Sequence, residues 1–245
     1  MNQAIDVKGL TKMYGSTAAV RDLNLVVDCG ALFALLGVNG AGKTTTIKML
    51  TCLTRPTSGD AVLLGHSITS NPAAVKQKTN VSPQETAVAR NLTVAENVQL
   101  MAEIYGADKR SGETKAREMM NTFGLTDIAG KRAKTLSGGM QRRLSIAMAM
   151  ISDPEILFMD EPTLGLDVLA RRELWAAIRA LKGKVTMVLT THYMDEAGAL
   201  SDRIGIMQEG TLKAIGTSDE LIAATDASTL EEAFVALATG SEVSP

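Results

Sequence analysis

The sequence predicts an α/β fold with an open sheet and a helical insertion. Short apolar runs such as Ala31–Leu36 and Val185–Thr190 predict buried strands, and helical patterns lie between them. A glycine-rich segment joins the first of these strands to a helix, which is the arrangement of an anion-binding turn. From about residue 86 to 150 the apolar spacing becomes helical, so this stretch is predicted to be an insertion in the α/β core.

Taken in order, the chain begins with two predicted strands, Ile5–Leu10 and Leu23–Val27, on either side of a loop that holds Tyr14. The later strands are predicted at Ala31–Leu36, Ala61–Leu64, Pro154–Met159, Val185–Thr190, and in a closing hairpin at Ile204–Met207 and Thr211–Ile215. The predicted helices are Thr45–Leu53, Pro72–Lys78, Thr93–Tyr105, Gly112–Phe123, the segment after Ser137 up to Ile151, Val168–Leu181, Ser218–Ala224 and Leu230–Leu237. A frayed tail is expected at Thr239–Pro245.

The composition limits the function classes. The 245 residues include 45% hydrophobic residues, enough for one buried core. The net charge of −2 provides no basic surface for nucleic acid, and 3% aromatic residues argue against a base-stacking platform. Cys29 and Cys52 do not have metal-ligand spacing, which favours a reducing compartment. Neither a signal peptide nor a membrane-spanning run is recognisable, so a role at a membrane is expected to come through a partner.

The glycine-rich segment Gly37-Val38-Asn39-Gly40-Ala41-Gly42-Lys43-Thr44-Thr45 has the spacing of a P-loop. Its glycines allow successive backbone N–H groups to turn towards an anion, and the helix that follows adds its positive end. Lys43 is then within reach of the β- and γ-phosphates of a nucleotide, and the Thr44 hydroxyl can ligate Mg²⁺. The pattern predicts binding of a nucleoside triphosphate without saying what the binding drives.

Polar residues follow two predicted strands. Asp160 and Glu161 come at the end of one strand, and His192 follows another, so all three are expected at the edge of the sheet where ligands bind. Asp160 can hold the hydration shell of Mg²⁺, and Glu161 can act as a general base towards water. His192 can donate a hydrogen bond to a phosphate. A solvated acidic turn and an ordinary strand-end histidine are the alternatives.

Three further positions have weaker signals. Ser137-Gly138-Gly139 opens a helix; Ser137 is a good N-cap, but two glycines weaken a helix unless their N–H groups approach an anion. Tyr14 could stack on a flat ring such as adenine, or be a partly buried loop residue. Gln84 follows Pro83 at a break in regular structure, and Asp167 caps a helix.

This ordered set of motifs resembles the ATP-binding subunits of ABC transporters, from Tyr14 to about Thr217. Leu136-Ser137-Gly138-Gly139-Met140-Gln141 resembles the family signature and is more specific than the P-loop. The resemblance implies adenine stacking by Tyr14, phosphate and Mg²⁺ binding by Gly37–Thr45, a Q-loop residue at Gln84, a Walker B aspartate at Asp160, a catalytic base at Glu161, a D-loop residue at Asp167 and a switch histidine at His192. Val38 stands where the family often has proline or serine, a position that contributes backbone.

The resemblance also implies an architecture: a P-loop NTPase (RecA-like) core with an antiparallel β subdomain and an inserted α-helical subdomain. Residues 1–225 would form the ATPase domain, with the helical subdomain at about 86–150, and residues 226–245 a short helix and tail. The expected cofactors are ATP and Mg²⁺. The expected partners are a polytopic membrane permease and a second ATPase subunit, as a homodimer at the cytoplasmic face of the inner membrane. No nucleic acid partner is expected.

Finer similarity points to the branch of drug, polysaccharide and nodulation-factor exporters. It rests on the segments Thr163–Val168, Ala170–Trp175 and Leu230–Phe234. The main alternative is a soluble ABC-type ATPase of translation or DNA repair. Translation-type members carry two cassettes, and repair-type members insert a long coiled coil; the sequence has one cassette and no sustained heptads. A GTPase or kinase would leave the signature helix unexplained, and a catalytically inactive module is disfavoured by Glu161 and His192.

Overall fold

The computed structural model describes residues 3–239 and contains two sheets flanked by helices. The strands are β1 (Gln3–Tyr14), β2 (Thr17–Asp28), β3 (Leu32–Leu36), β4 (Ser58–Leu63), β5 (His66–Ser67), β6 (Thr79–Ser82), β7 (Ile156–Asp160), β8 (Thr186–Thr191), β9 (Arg203–Gln208) and β10 (Thr211–Gly216). The helices are α1 (Lys43–Leu50), α2 (Pro72–Lys78), α3 (Val94–Ile104), α4 (Lys109–Thr122), α5 (Gly138–Met150), α6 (Val168–Arg179), α7 (Met194–Leu200), α8 (Ser218–Ala223) and α9 (Leu230–Thr239). The predicted tail lies outside the described residues apart from Thr239, where α9 ends.

The larger sheet has six strands in the order β10-β9-β3-β8-β7-β6. All neighbours from β9 to β6 are parallel, and only β10 is antiparallel to β9. Every residue of β3, β7 and β8 is buried, as expected for strands covered on both faces. The carboxyl ends of β3, β7 and β8 therefore meet at one edge, which is where the site lies.

The smaller sheet is antiparallel, in the order β2-β1-β4-β5. Together with the parallel sheet and the helices between β6 and β7, it confirms the predicted fold class. The predicted loop around Tyr14 is wrong, because β1 continues to Tyr14 and pairs it with Thr17 across a two-residue turn. Tyr14 is thus the last residue of a strand, and its ring is half exposed.

Three helices between β6 and β7 pack on one another and on the parallel sheet. Helix α3 begins with a capping box in which Thr93 and Glu96 bond each other's backbone. Val98, Phe123 and Leu144 are among the buried residues of these helices in the main core. This packing fixes α5, whose first residues carry the signature. Within residues 3–239, every helix is too short or too polar to cross a membrane.

Candidate active site

The loop between β3 and α1 lies directly against two other backbone segments. A Cβ at Gly37 would lie 2.3 Å from the carbonyl oxygen of Met207, and one at Gly42 would lie 2.4 Å from that of Ala19. Gly42 also has a φ of +102°, which side-chain-bearing residues rarely adopt. Packing therefore requires glycine at both Gly37 and Gly42, and the backbone conformation also requires it at Gly42.

Lys43 is buried at the start of α1, where its ammonium group turns back into the loop. Nζ donates to the carbonyl oxygens of Gly37 at 2.7 Å and Val38 at 3.1 Å, and lies 3.4 Å from Oε1 of Glu161. Burial lowers the pKa of Lys43, and the carboxylate of Glu161 opposes that shift. The lysine is thus held in the centre of the loop by oxygen atoms on several sides.

A cavity of about 450 Å³ opens above this loop. That volume is within the usual range for small-molecule sites. The residues that line it are Tyr14, Ala19, Asn39, Gly40, Ala41, Gly42, Lys43, Thr44, Thr45, Gln84 and Glu161. The structure therefore brings Tyr14 and Gln84, which are far from the P-loop in sequence, to the same cavity.

Asp160 ends β7 beside the P-loop. Its Oδ1 accepts hydrogen bonds from the hydroxyl groups of Thr44 at 3.1 Å and Thr190 at 2.5 Å. No cluster of three or more His, Cys, Asp or Glu side chains suited to a metal occurs in the described part of the chain. A hard cation beside Asp160 would instead be bound by Thr44, Gln84 and Asp160 together with oxygen atoms of the nucleotide phosphates. All these donors are oxygens, and the set fits Mg²⁺, which is usually bound through one or two carboxylates and substrate phosphates.

Glu161 follows Asp160 in a strained backbone conformation, with a φ of +45°. Its N–H donates to the backbone oxygen and the hydroxyl of Thr190, at 3.1 and 3.0 Å. These bonds to β8 hold the buried side chain of Glu161 between Lys43 and His192. Oε1 faces Lys43, and Oε2 lies 3.0 Å from Nδ1 of His192 without hydrogen-bond alignment. The structure thus brings His192 beside Glu161, which lines the cavity.

The signature residues lie elsewhere on the molecule. Ser137 caps α5, accepting from the N–H of Met140 at 3.3 Å. Gly139 packs against α6, where a Cβ would lie 2.7 Å from Cβ of Ala170. Asp167 caps α6 by accepting from two of its N–H groups. Ser137, Gly138, Gly139 and Asp167 therefore form a second group, outside the cavity of their own chain.

The sequence analysis missed Ala19, Thr190, Arg142 and Glu196. Ala19 and Thr190 have no signal in the sequence around them, because each contacts the site from a separate strand. The backbone of Ala19 lies against Gly42, and the hydroxyl of Thr190 donates to Asp160. Arg142 and Glu196 also have no distinguishing signal, since each stands beside a residue of like charge, Arg143 or Asp195. Burial lowers the pKa of the Arg142 guanidinium, although the carboxylates of Asp160 and Glu196 oppose the shift.

The model of the ABC transporter family matches residues 20–164, more than half of the chain. The chain belongs to the ABC transporter family. The daunorubicin/doxorubicin resistance ATP-binding protein DrrA of Streptomyces peucetius is 43% identical over 220 residues, which cover 89% of this chain and 67% of that protein. The probable multidrug ABC transporter ATP-binding protein YbhF of Escherichia coli K12 is 41% identical over 239 residues; these cover 95% of this chain but only 41% of YbhF.

Solved structures of the ABC family agree with this assignment. The ATP-binding subunit of an ABC transporter superposes with a TM-score of 0.83 at 30% identity, covering 96% of this chain and 99% of that one. A dimeric post-hydrolysis state of the ATP-binding cassette MJ0796, bound to ADP and phosphate, superposes with a TM-score of 0.78 at 25% identity, covering 87% and 98%. As an ABC ATPase, the chain binds ATP, and its P-loop and cavity have the geometry for it.

Proposed function

We propose that this chain binds MgATP in the 450 Å³ cavity and hydrolyses it to power a separate membrane permease. The observation that carries the proposal is the convergence of Lys43, Thr44 and Glu161 on one cavity, at the carboxyl edge of the parallel sheet. Asp160 adjoins this cavity through its hydrogen bond with Thr44. Lys43 stabilises the negative charge of the transferring phosphoryl group. Glu161 orients and polarises the attacking water, and His192 contacts the γ-phosphate.

The remaining site residues bind and orient. Tyr14 stacks on the adenine, and the N–H groups of Gly37–Thr45 surround the phosphates. Thr44, Gln84 and Asp160 would hold Mg²⁺, which supplies positive charge at the β- and γ-phosphates when bound. The unit responsible is proposed to be residues 1–225, with the helical subdomain at about 86–150, followed by a short C-terminal helix and tail at 226–245.

Two copies would pack head to tail, so that Ser137–Gly139 of one chain contact the nucleotide of the other. The placement of Ser137–Gly139 and Asp167 outside their own cavity supports this arrangement. Next to Asp167, the apolar side chains of Val168 and Leu169 are 62% and 73% exposed, which is typical of a surface that is covered on association. ATP then stabilises the dimer because both chains bind it, and hydrolysis releases that contact.

The permease would dock at the seam between the α/β core and the helical segment. A groove of about 340 Å³ lies there, lined in part by Leu53, Lys76, Asn80 and Tyr105. Leu53 is 64% exposed and Tyr105 is half exposed, while Asn80 bonds the Tyr105 hydroxyl at 3.0 Å. Because β6 leads from this groove directly to Gln84, a segment seated here can displace Gln84. The chain would thus lie peripherally at the cytoplasmic face of the membrane.

Export is the direction we propose, because one relative is named for resistance to daunorubicin and doxorubicin and another for multidrug transport. The exporter-like segments Thr163–Val168, Ala170–Trp175 and Leu230–Phe234 agree with this direction. The alternative is a soluble ABC-type ATPase without a permease. A pull-down with tagged Glu161→Gln, MgATP and detergent-solubilised host membranes separates the two. A stoichiometric polytopic protein supports the proposal, and recovery only of ribosomal or nucleic-acid proteins contradicts it.

A second variant makes that pull-down specific. Glu161→Gln with Leu53→Glu places a charge in the docking groove but leaves the ATP cavity untouched. We expect it to dimerise with MgATP and to lose the polytopic protein. Glu161→Gln alone is also expected to bind MgATP, hydrolyse it at least a hundredfold more slowly than wild type, and remain dimeric. Rapid turnover by this variant would refute the assignment of the base.

A further inference from the structure

Arg142 lies in α5, one turn beyond the signature glycines, and is 4% exposed. Its guanidinium donates to the carbonyl oxygens of Pro83 and Gln84, both at 2.6 Å, and to that of Glu161 at 3.3 Å. A buried guanidinium is unfavourable unless its N–H groups are paired, so these carbonyl bonds are what make its burial possible. One side chain thus joins three segments: the signature helix, the Gln84 segment and the residue after β7.

A second contact fastens α5 to the same segment. Ser145, three residues after Arg142 and on the same face of the helix, has its hydroxyl 3.2 Å from that of Ser82. Ser82 ends β6 and directly precedes Pro83. Helix α5 is therefore attached at two points, one turn apart, to the residues that lead into Gln84. A displacement of Gln84 must either break these bonds or move the helix.

We propose that Arg142 is a positioning residue that couples one ATP site to the other. The proposal rests on the head-to-tail arrangement, in which Ser137–Gly139 contact the nucleotide of the opposite chain. Arg142 fixes that segment relative to Gln84 and Glu161, which serve the nucleotide of their own chain. A shift of Gln84 at one nucleotide then reaches the signature facing the other. Arg142 does this through backbone carbonyls and is outside the cavity lining, so its loss leaves the P-loop contacts intact.

The test compares Arg142→Met, Arg142→Lys and Arg143→Met in the full chain. Arg143 is the matched control: it is the next residue of the same helix, but it bonds the carbonyl of Phe123 and the carboxylate of Glu173, away from the cavity. We expect Arg142→Met to lower kcat for MgATP at least tenfold and to change KM less than threefold. Arg142→Lys keeps the charge but lacks the planar guanidinium that spans adjacent carbonyls. Its kcat is expected to lie between those of the wild type and Arg142→Met. Arg143→Met should keep kcat within twofold.

Dimerisation supplies the second readout. In the Glu161→Gln background, Arg142→Met should weaken MgATP-dependent dimerisation at least tenfold in sedimentation, while Arg143→Met should leave it unchanged. Wild-type kcat in both Arg142 variants would overturn the proposal, and so would an equal loss of kcat in Arg143→Met. If Arg142→Met does not fold, Arg142→Lys decides, because wild-type kcat and dimerisation in that variant refute the coupling.

Failure of the proposed function itself would look different. If Glu161→Gln remains monomeric with MgATP although its Arg142 is intact, then the two-chain arrangement is wrong and the link between sites falls with it. If Glu161→Gln dimerises but the Arg142 variants behave like wild type, then the arrangement stands and only the role of Arg142 is refuted.

Discussion

Replacement of Lys43 by alanine tests the centre of the site. The ammonium group makes two carbonyl bonds within the loop and lies 3.4 Å from Glu161. A charge-assisted bond to phosphate contributes about 1.5–3 kcal/mol. Lys43 exchanges some of its loop bonds for phosphate bonds when ATP binds, so the net loss in Lys43→Ala should be about 2–3 kcal/mol, or roughly 30–150-fold in Kd.

The measurement is an isothermal calorimetric titration with MgATP, which gives Kd. Lys48→Ala is the matched control, because Lys48 lies on the same helix with an exposed side chain. Thermal unfolding of both variants shows whether the loop still folds, since Lys43→Ala also removes the cation beside the buried carboxylate of Glu161. An unchanged Kd in folded Lys43→Ala would refute the assignment of this lysine to the phosphates.

Two further substitutions test packing and buried charge. Gly42→Ala should destabilise the protein by about 1–3 kcal/mol from backbone strain alone, and the contact with Ala19 should add to that loss. Gly130→Ala is the control, because the space around Gly130 is open and no destabilisation is expected. The difference in Tm between each variant and the wild type measures the effect. Burial raises the pKa of Glu196, and hydrogen bonds from nearby hydroxyls oppose that shift. The folded state therefore binds a proton at Glu196 more tightly than the unfolded state does. As a consequence, the protein loses stability as the pH rises through the pKa of the folded state. Glu196→Gln, which resembles the neutral acid, should remove that decline; an equal fall in Tm between pH 5 and 8 for both proteins would contradict it.

The parallel sheet could be predicted because its strands are continuous apolar runs that need both faces covered. The same reasoning failed at the end of β1. There the pairing with β2 shifts register at Val7–Leu10, Leu10–Lys12 and Lys12–Met13. Each irregularity interrupts the alternation of apolar and polar residues from which a strand is recognised. Tyr14 consequently resembles a loop residue in sequence, although it pairs with Thr17. Helix α7, Met194–Leu200, was not predicted, because it has only seven residues and, unlike α2, neither a side-chain cap nor a proline at its start.

The local parts of the site were predictable for a different reason. Lys43 and Thr44 belong to one short motif whose spacing fixes their geometry, and Asp160 and Glu161 are placed by the end of a recognisable strand. The N-caps at Ser137 and Asp167 were also identified, because a cap acts within three residues of itself. The assigned roles of these residues stay predictions until the variants above are measured.

Contacts made across the fold are harder to derive from sequence. The hydroxyl of Thr190 reaches Asp160 only because β7 and β8 are neighbours in register, and that pairing is not encoded near either residue. Arg142 shows the same limit more strongly. In sequence it cannot be distinguished from its neighbour Arg143, and its partners are carbonyl oxygens, which every residue carries. Since no side-chain type marks these partners, only the packed structure shows that Arg142 is the buried arginine and that it is paired with the carbonyl groups of Gln84 and Glu161. That is why the residue proposed to join the two ATP sites lies outside every motif by which the family is recognised.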